Sequence, residues 1–292
     1  MILVDDGSTD SSGDICDKYL KIDDRVVVIH KENSGVSSAR NAGLNSATGD
    51  YICYVDGDDY VDNDYLEYLL ELLIKNNADI SLTRCMSGNF DSNDSQVDSI
   101  VSWTNEDAVE AILCYKVPIG CYCKLFKKNI VKNVRFLDNV FIGEGFNYNI
   151  ACFQLANIVI AGSKKIYYYR RDNSTSAMTK FRVDKVECGL KALEIIKSNL
   201  IFNDDRINKA WQFANWRTYS DFYDFIVLGN AKKSYPDMYR KLKKYTKKYA
   251  FTALNVPTSK KNKLRAIIMK FWPRLMPKLL LLRRKKYKVQ IN

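Results

Sequence analysis

The first 84 residues alternate short apolar runs with amphipathic stretches, and this alternation narrows the choice of fold more than any other feature of the chain. ILV (2–4), VVVIH (26–30), YICYV (51–55) and ISLTR (80–84) read as strands, most of them buried. Between them, Asp10, Ser11 or Ser12 caps a predicted helix running to residue 21, and residues 36–47, rich in Ala and Ser, predict a second. Asp62 or Asn63 caps a third, in which Leu66, Leu69, Leu70 and Leu73 have core-facing spacing. Such an order predicts a parallel α/β sheet with crossover helices. Ligands of these sheets bind beyond the carboxyl ends of the strands. Two acidic clusters, Asp5-Asp6 and residues 56–59, sit at such ends.

The second cluster sets a physical problem. Asp56 and Asp58, two residues apart on an extended chain, point to one side, and at roughly 5 Å and an effective dielectric near 20 they repel by about 3 kcal/mol. A D-x-D triplet by itself proves little, because 26 aspartates in 292 positions supply about two by chance. A second triplet, Asp62 and Asp64, opens a helix, where capping explains it. Asp56 and Asp58 instead close a buried strand, and their oxygen ligands suit Mg²⁺ or Mn²⁺.

After residue 98 the pattern loosens. SIVSW, VRFL and KKIYYYR are short strand candidates among helices at 105–115 and 144–156, and from residue 183 onward the chain reads as helical with apolar-basic periodicity. The expected division is a domain over 1–200, in halves 1–97 and 98–200, followed by a helical, basic region over 201–292. The eight cysteines show no C-x-x-C pair, and with one histidine and no apparent signal peptide they read as buried thiols of a cytoplasmic protein. No run of 18 uncharged apolar residues predicts a spanning helix. Neither G-x-G-x-x-G nor the P-loop pattern occurs, which disfavours dinucleotide oxidoreductases and P-loop enzymes.

ILVDDGSTDSS followed by NSGVSSARNAGLNSATGDYICYVDGDD resembles the family 2 glycosyltransferases of GT-A fold, in particular bacterial enzymes of capsular and exopolysaccharide synthesis. The likeness runs over about residues 1–180. It implies a Rossmann-like, mostly parallel sheet with flanking helices, entered here after the family's first strand and helix, so that an N-terminally truncated member is expected. It also implies a hexosyltransferase that inverts the sugar of a UDP-sugar and extends a glycan or lipid-linked acceptor. Asp5 would accept from the uracil edge with Asp6 beside it, Arg40 would lie near the nucleotide, Asp56 would face the ribose or the metal, and Asp58 would hold Mn²⁺ or Mg²⁺ on the diphosphate. Lys124 would help shape the site. Plain alternatives remain open: Arg40 as a surface helix arginine, Lys124 as a solvated lysine, and His30 as structural.

Two departures from the resemblance matter: the absent first strand and helix, and a change of motif. The family's Gly-Glu-Asp motif, whose Asp is the general base of inverting members, reads Gly143-Glu144-Gly145 here, leaving Glu144 as the candidate base or as a helix N-terminal acid favoured by the dipole. A degenerate relative that binds nucleotide sugar without efficient transfer is the rival expectation. Arg170, Arg171 and Ser174 are candidates for a diphosphate pocket or lid, or a basic surface turn.

Charge separates the two ends of the chain. Residues 238–292 hold 18 Lys and Arg and no Asp or Glu, whereas the preceding part has 27 basic against 34 acidic residues. With apolar residues interleaved around Lys270, Arg274 and Lys278, the tail predicts peripheral association with anionic lipid at the inner face of the cell membrane. Nucleic acid is not an expected partner, since the catalytic part is acidic and no nucleic-acid module is recognisable.

Overall fold

The computed structural model describes residues 1–86, 97–170 and 181–289, with side chains as far as Leu282 in the last helix. The chain forms two compact units: residues 1–108 with 118–171, and residues 109–117 with 172–292.

In the first unit, β1 (Ile2–Asp5), α1 (Ser12–Ile22), β2 (Val27–His30), α2 (Val36–Ser46), β3 (Tyr51–Cys53), β4 (Tyr60–Val61), α3 (Tyr65–Lys75) and β5 (Ile80–Thr83) follow the expected alternation. β6 (Val101–Trp103) and α4 (Asn105–Leu113), which continues into the second unit, come next, then β7 (Lys124–Lys127), α5 (Lys128–Val131), α6 (Glu144–Leu155), β8 (Val159–Gly162) and β9 (Tyr167–Tyr168). The main sheet has the order β3-β7-β5-β8-β6. β5 and β8 lie at its centre, run parallel, and are buried along their whole length, as continuous apolar strands with both faces covered must be.

The sheet is more mixed than the alternation implied. β7 lies antiparallel to both β3 and β5, and β6 antiparallel to β8. β7 is reached from β6 through α4 and the segment at 114–123, and since β6 and β7 each oppose one of the parallel pair β5 and β8, they share a direction, as strands joined through a helix do. β1 and β2 form a parallel pair of their own, Asp5 opposite His30. That pair is only partly covered: Val26 is buried, but Val27 is 49% exposed, which corrects the reading of VVVIH as a wholly buried strand. VRFL forms no strand, although its Phe136 is buried. On α3 the buried face is Tyr65, Leu69, Leu72 and Leu73, while Leu66 is 57% exposed. The helix thus presents a face rotated from the expected one, with Tyr65 anchoring it through a hydroxyl that accepts from the Cys123 amide at 3.1 Å. Each of these fully covered side chains contributes about 1.5–3 kcal/mol by leaving water.

The second unit contains α7 (Val183–Asn199), α8 (Asp205–Leu228), α9 (Pro236–Lys248), a 3-10 turn (Ala250–Leu254), α10 (Lys260–Phe271) and α11 (Leu275–Val289). Asp204 caps α8, accepting from the Ile207 amide at 3.1 Å. Trp216 of α8 is fully buried and its indole donates to the Thr246 carbonyl of α9 at 2.9 Å. Arg265 of α10 turns inward to Ser220 and Asp224 of α8, so one cation of the basic segment is structural. No helix among the described residues is long and apolar enough to cross a membrane.

Candidate active site

All the residues singled out from the sequence as site candidates, save those between 171 and 180, fall in the first unit. The cluster at the end of β1 is closed by close neighbours. Asp5 accepts from the Ser8 amide at 3.0 Å and from His30 Nδ1 at 3.0 Å, and these bonds to Ser8, then to His30, hold its carboxyl down at about 2. His30 in turn meets Asp17 of α1 at 2.9 Å, and Asp17, then Asp5, raise its imidazole above the ordinary range. His30 is structural, as one reading of the sequence had it. Asp6 accepts from Lys31 Nζ at 2.5 Å and from the amides of Ser34 and Gly35 at 3.1 and 2.7 Å. Burial opposes the Asp6 charge, but the lysine and the two amides overcome it and keep the carboxyl below its usual range. Asp6 thus fixes the loop from β2 to α2, while Asp5 ties the turn after β1 to the end of β2.

Helix α2 explains the SSARN motif. Ser37, Arg40 and Asn41 stand at i, i+3 and i+4, one face of the helix. Ser37 Oγ donates to the Val140 carbonyl at 3.1 Å. Asn41 exchanges two bonds with the Phe136 backbone, each 2.9 Å. Together they hold the segment that leads to Gly143, which takes a left-handed φ of 90° as it caps α6. Arg40 is not a surface arginine: its side chain is 13% exposed, its guanidinium lies 5.4 Å from the Phe136 ring centre, and it forks between two carboxylates. One nitrogen reaches Glu144 Oε1 at 2.8 Å and the other Asp56 Oδ1 at 2.7 Å. A planar, permanently charged fork suits that role. Phe136 is stacked on Tyr148 at 4.0 Å, and the Tyr54 hydroxyl meets that of Tyr148 at 2.8 Å, so an aromatic cluster fixes the arginine's floor.

The turn after β3 carries the second cluster. Asp59 accepts from the Tyr167 hydroxyl at 2.7 Å and from the Arg170 amide at 2.9 Å, and the same tyrosine oxygen accepts from the Asp56 amide at 3.2 Å. Burial raises the Asp59 carboxyl, with help from Asp58 and Asp56, against the lowering by its two donors. Asp58 stands exposed on the turn. The pairing of β4 with β9, Tyr60 opposite Tyr168, brings Tyr167 to this place.

Lys124 and Gly145 define the opposite wall. Lys124 is fully buried at the start of β7, and its amine donates to the carbonyls of Pro118, Gly120 and Tyr122 at 2.8, 2.7 and 3.1 Å. Burial lowers that amine to about 8. It is neither a solvated lysine nor, with these three acceptors, aimed at a nucleotide; it shapes the site by clamping the 118–122 loop. That loop lies against Gly145: a β-carbon there would stand 3.0 Å from the Cys121 nitrogen and 3.1 Å from the Gly120 Cα. Glycine at 145 thus lets α6 pack closely on this loop, and any larger residue there asks the loop to give by a few tenths of an ångström.

Among the described residues no group of three His, Cys, Asp or Glu is placed to hold a metal. The donor set still fits a hard divalent cation, because Mg²⁺ is commonly held by one or two carboxylates, with phosphates and water completing its shell. Asp58 and Asp56 are the two residues that would hold it, Asp56 already giving Oδ1 to Arg40.

Arg40, Asp56, Asp58 and Glu144 thus belong to one connected turn-and-helix arrangement, whereas Asp5, Asp6 and Lys124 are held by partners of their own. Arg171 and Ser174 lie outside the described residues. The sequence reading missed Tyr167, Phe136, Tyr148 and Asn41; the aromatic run YYYR next to a basic residue was the one signal available for Tyr167.

Residues 1–135 match the family model described as Glycosyl transferase family 2. The chain is 33% identical over 182 residues to the glycosyltransferase GlyA of Streptococcus pneumoniae serotype 4, covering 58% of this chain and 26% of that protein. With TuaG of Bacillus subtilis, a glycosyltransferase named for teichuronic acid biosynthesis, it is 31% identical over 182 residues, 56% of this chain and 70% of that one. The chain spans 26%, 64% and 58% of the lengths of three of the curated relatives it matches. Its fold is shared with the crystal structure of S. aureus TarS 1-349 in complex with UDP-GlcNAc, at a TM-score of 0.60 and 16% identity over 91% of this chain and 80% of that one. By these matches the chain belongs to glycosyl transferase family 2.

Proposed function

We propose that this chain transfers a sugar, with inversion, from a nucleotide diphosphate sugar to a glycan or lipid-linked acceptor during assembly of a bacterial surface polysaccharide, working at the inner face of the membrane. A UDP-sugar is the preferred donor. Family membership supports the reaction class, and the UDP-GlcNAc carried by the TarS structure supports the donor. The observation that carries the reading is the acidic turn at 56–59, which follows the edge strand β3 and is fixed from both sides by Arg40 and Tyr167. A divalent cation bound there would supply positive charge to the departing diphosphate. The chain's own residues do the rest: Arg40 holds Asp56 and Glu144 in place, and Glu144, at the start of α6, is the carboxylate offered to an acceptor hydroxyl.

One observation favours a second reading, a protein that binds nucleotide sugar without transferring it. Residue 145 carries no carboxylate, and Glu144 gives one oxygen to Arg40, so accepting a proton means competing with that ion pair. The readings separate when UDP release from UDP-sugars, with Mn²⁺ and with or without a glycan acceptor, is followed for the wild type, Glu144→Gln and Asp58→Asn. Release that falls by about 10²-fold or more in Glu144→Gln is expected for a general base. UDP binding without release establishes the second reading, and no binding of UDP in any form contradicts both.

A further inference from the structure

The basic segment of the second unit is built around a crevice rather than spread as a plain charged surface. Between α9 and the turn joining α10 to α11 lies a cavity of about 440 Å³ whose cations are Lys243, Lys247, Arg274 and Lys278. No acidic residue occurs between positions 238 and 292 to offset them. Four like charges converging on one concavity repel one another unless an anion joins them. The same crevice is lined by Phe271 and Trp272, which are 56% and 64% exposed.

The apolar exposure extends along both helices in register. Leu264, Ile267 and Phe271 follow i, i+3, i+7 on α10, and Leu275, Leu279 and Leu282 follow i, i+4, i+7 on α11, all of them exposed. Pro273, between the helices, is buried and ends the first one. A ligand that answers both features has an anionic head and hydrocarbon beside it. Free phosphate leaves the leucine stripes unexplained, and a nucleic acid backbone does as well. Trp and Phe at the mouth, with Arg and Lys reaching around them, is the composition of a helix turn seated at a lipid interface.

We propose that this crevice seats the phosphate headgroup of an anionic phospholipid while Phe271, Trp272 and the stripes of α10 and α11 enter the acyl boundary. This rests on, and localises, the peripheral membrane association of the functional reading. It makes the α9 and α10–α11 turn, rather than the tail's charge as a whole, the membrane-binding element.

The test is sedimentation of the full chain with phosphatidylcholine vesicles, with and without phosphatidylglycerol. The comparison includes Lys243→Gln/Lys247→Gln, Trp272→Ser, and a control pair of exposed lysines on α10, Lys260→Gln/Lys261→Gln; circular dichroism melting checks that each variant is folded. Binding that needs phosphatidylglycerol, and that falls about tenfold or more in the crevice variants but less in the control pair, is expected. Quenching of wild-type fluorescence by brominated lipid, lost in Trp272→Phe, would place the indole in the acyl region. Binding that weakens equally in crevice and control variants overturns the crevice while leaving membrane association intact. Absence of binding to anionic vesicles overturns both. Displacement by inorganic phosphate, or tighter crevice-dependent binding of duplex DNA, assigns the site to another ligand and overturns the lipid proposal.

Discussion

The two acidic clusters of the first unit look alike in sequence and are held in opposite ways. Asp5 and Asp6 find their partners among residues 8–35, in the turn after β1, in β2 and in the loop that follows it. Residues 56–59 find theirs at position 40, 16 residues back, and at positions 167 and 170, more than a hundred residues on. One cluster is a knot closed within the first 35 residues. The other is assembled only when helix α2 and strand β9 have docked, so its geometry reports the tertiary fold. Paired carboxylates at a strand end therefore have no single meaning; what decides is whether their donors are local or distant.

The largest effect should come from breaking the distant set. Arg40→Met leaves Asp56 and Glu144 facing each other's neighbourhood without the guanidinium. Removing one member of a buried pair costs about 3–5 kcal/mol, and the exposure of the two carboxylates, 26% and 17%, places this case near the lower end. Urea unfolding measures it. The matching change in the local knot, Lys31→Met, should cost about 1–2 kcal/mol, because the Ser34 and Gly35 amides still hold Asp6. Equal losses at the two positions would erase the distinction.

Next comes Gly145→Ala, which sharpens the distant set by pressing on its wall. Overpacking of this kind costs about 1–3 kcal/mol. Gly145→Asp should cost more and should fail to raise UDP release, because its β-carbon already presses on the Gly120-Cys121 backbone. A gain in release from Gly145→Asp would show that the loop yields, and that the wall described for it does not hold.

The smallest effect is the pH response of the local knot. His30 has a raised pKa in the folded state, so its contribution is complete below its ordinary value of 6.5 and fades as pH rises through the higher folded value. Asp5 has a lowered one, so its contribution is present above 3.8 and is lost as pH falls towards about 2. The difference in melting temperature between wild type and His30→Gln should therefore be greatest between about pH 4 and 6.5 and shrink above that window. A difference that stays constant to pH 9 would remove His30 from the knot.

How much the sequence disclosed follows the same division. The alternation of strands and helices in the first 84 residues was legible because hydrophobic periodicity is local: β1, β2, β3 and β5 and α1 to α3 fall where it placed them, whereas the short β4, which pairs with β9, was not foreseen. Strand direction was not, since the antiparallel insertion of β7 depends on where a loop leads. Asp56, Asp58 and Glu144 were legible as candidates from motif and resemblance. That Arg40 links Asp56 to Glu144 was not, because the three lie 16 and 104 positions apart. The partners of Lys124 were hidden for the same reason: its three carbonyl acceptors belong to a loop whose course sequence alone does not give. Gly145, an anomaly in the motif, acquires its cause only from the backbone that packs on it.

Calorimetric titration of UDP in the presence and absence of Mn²⁺, on the wild type and on Asp58→Asn, tests most directly whether the turn at 56–59 is the donor site. The expected result is UDP binding that Mn²⁺ strengthens in the wild type and that Asp58→Asn weakens about tenfold or more, with the loss confined to the Mn²⁺-dependent part. Identical UDP affinity in the two proteins, with Mn²⁺ and without it, would contradict the assignment.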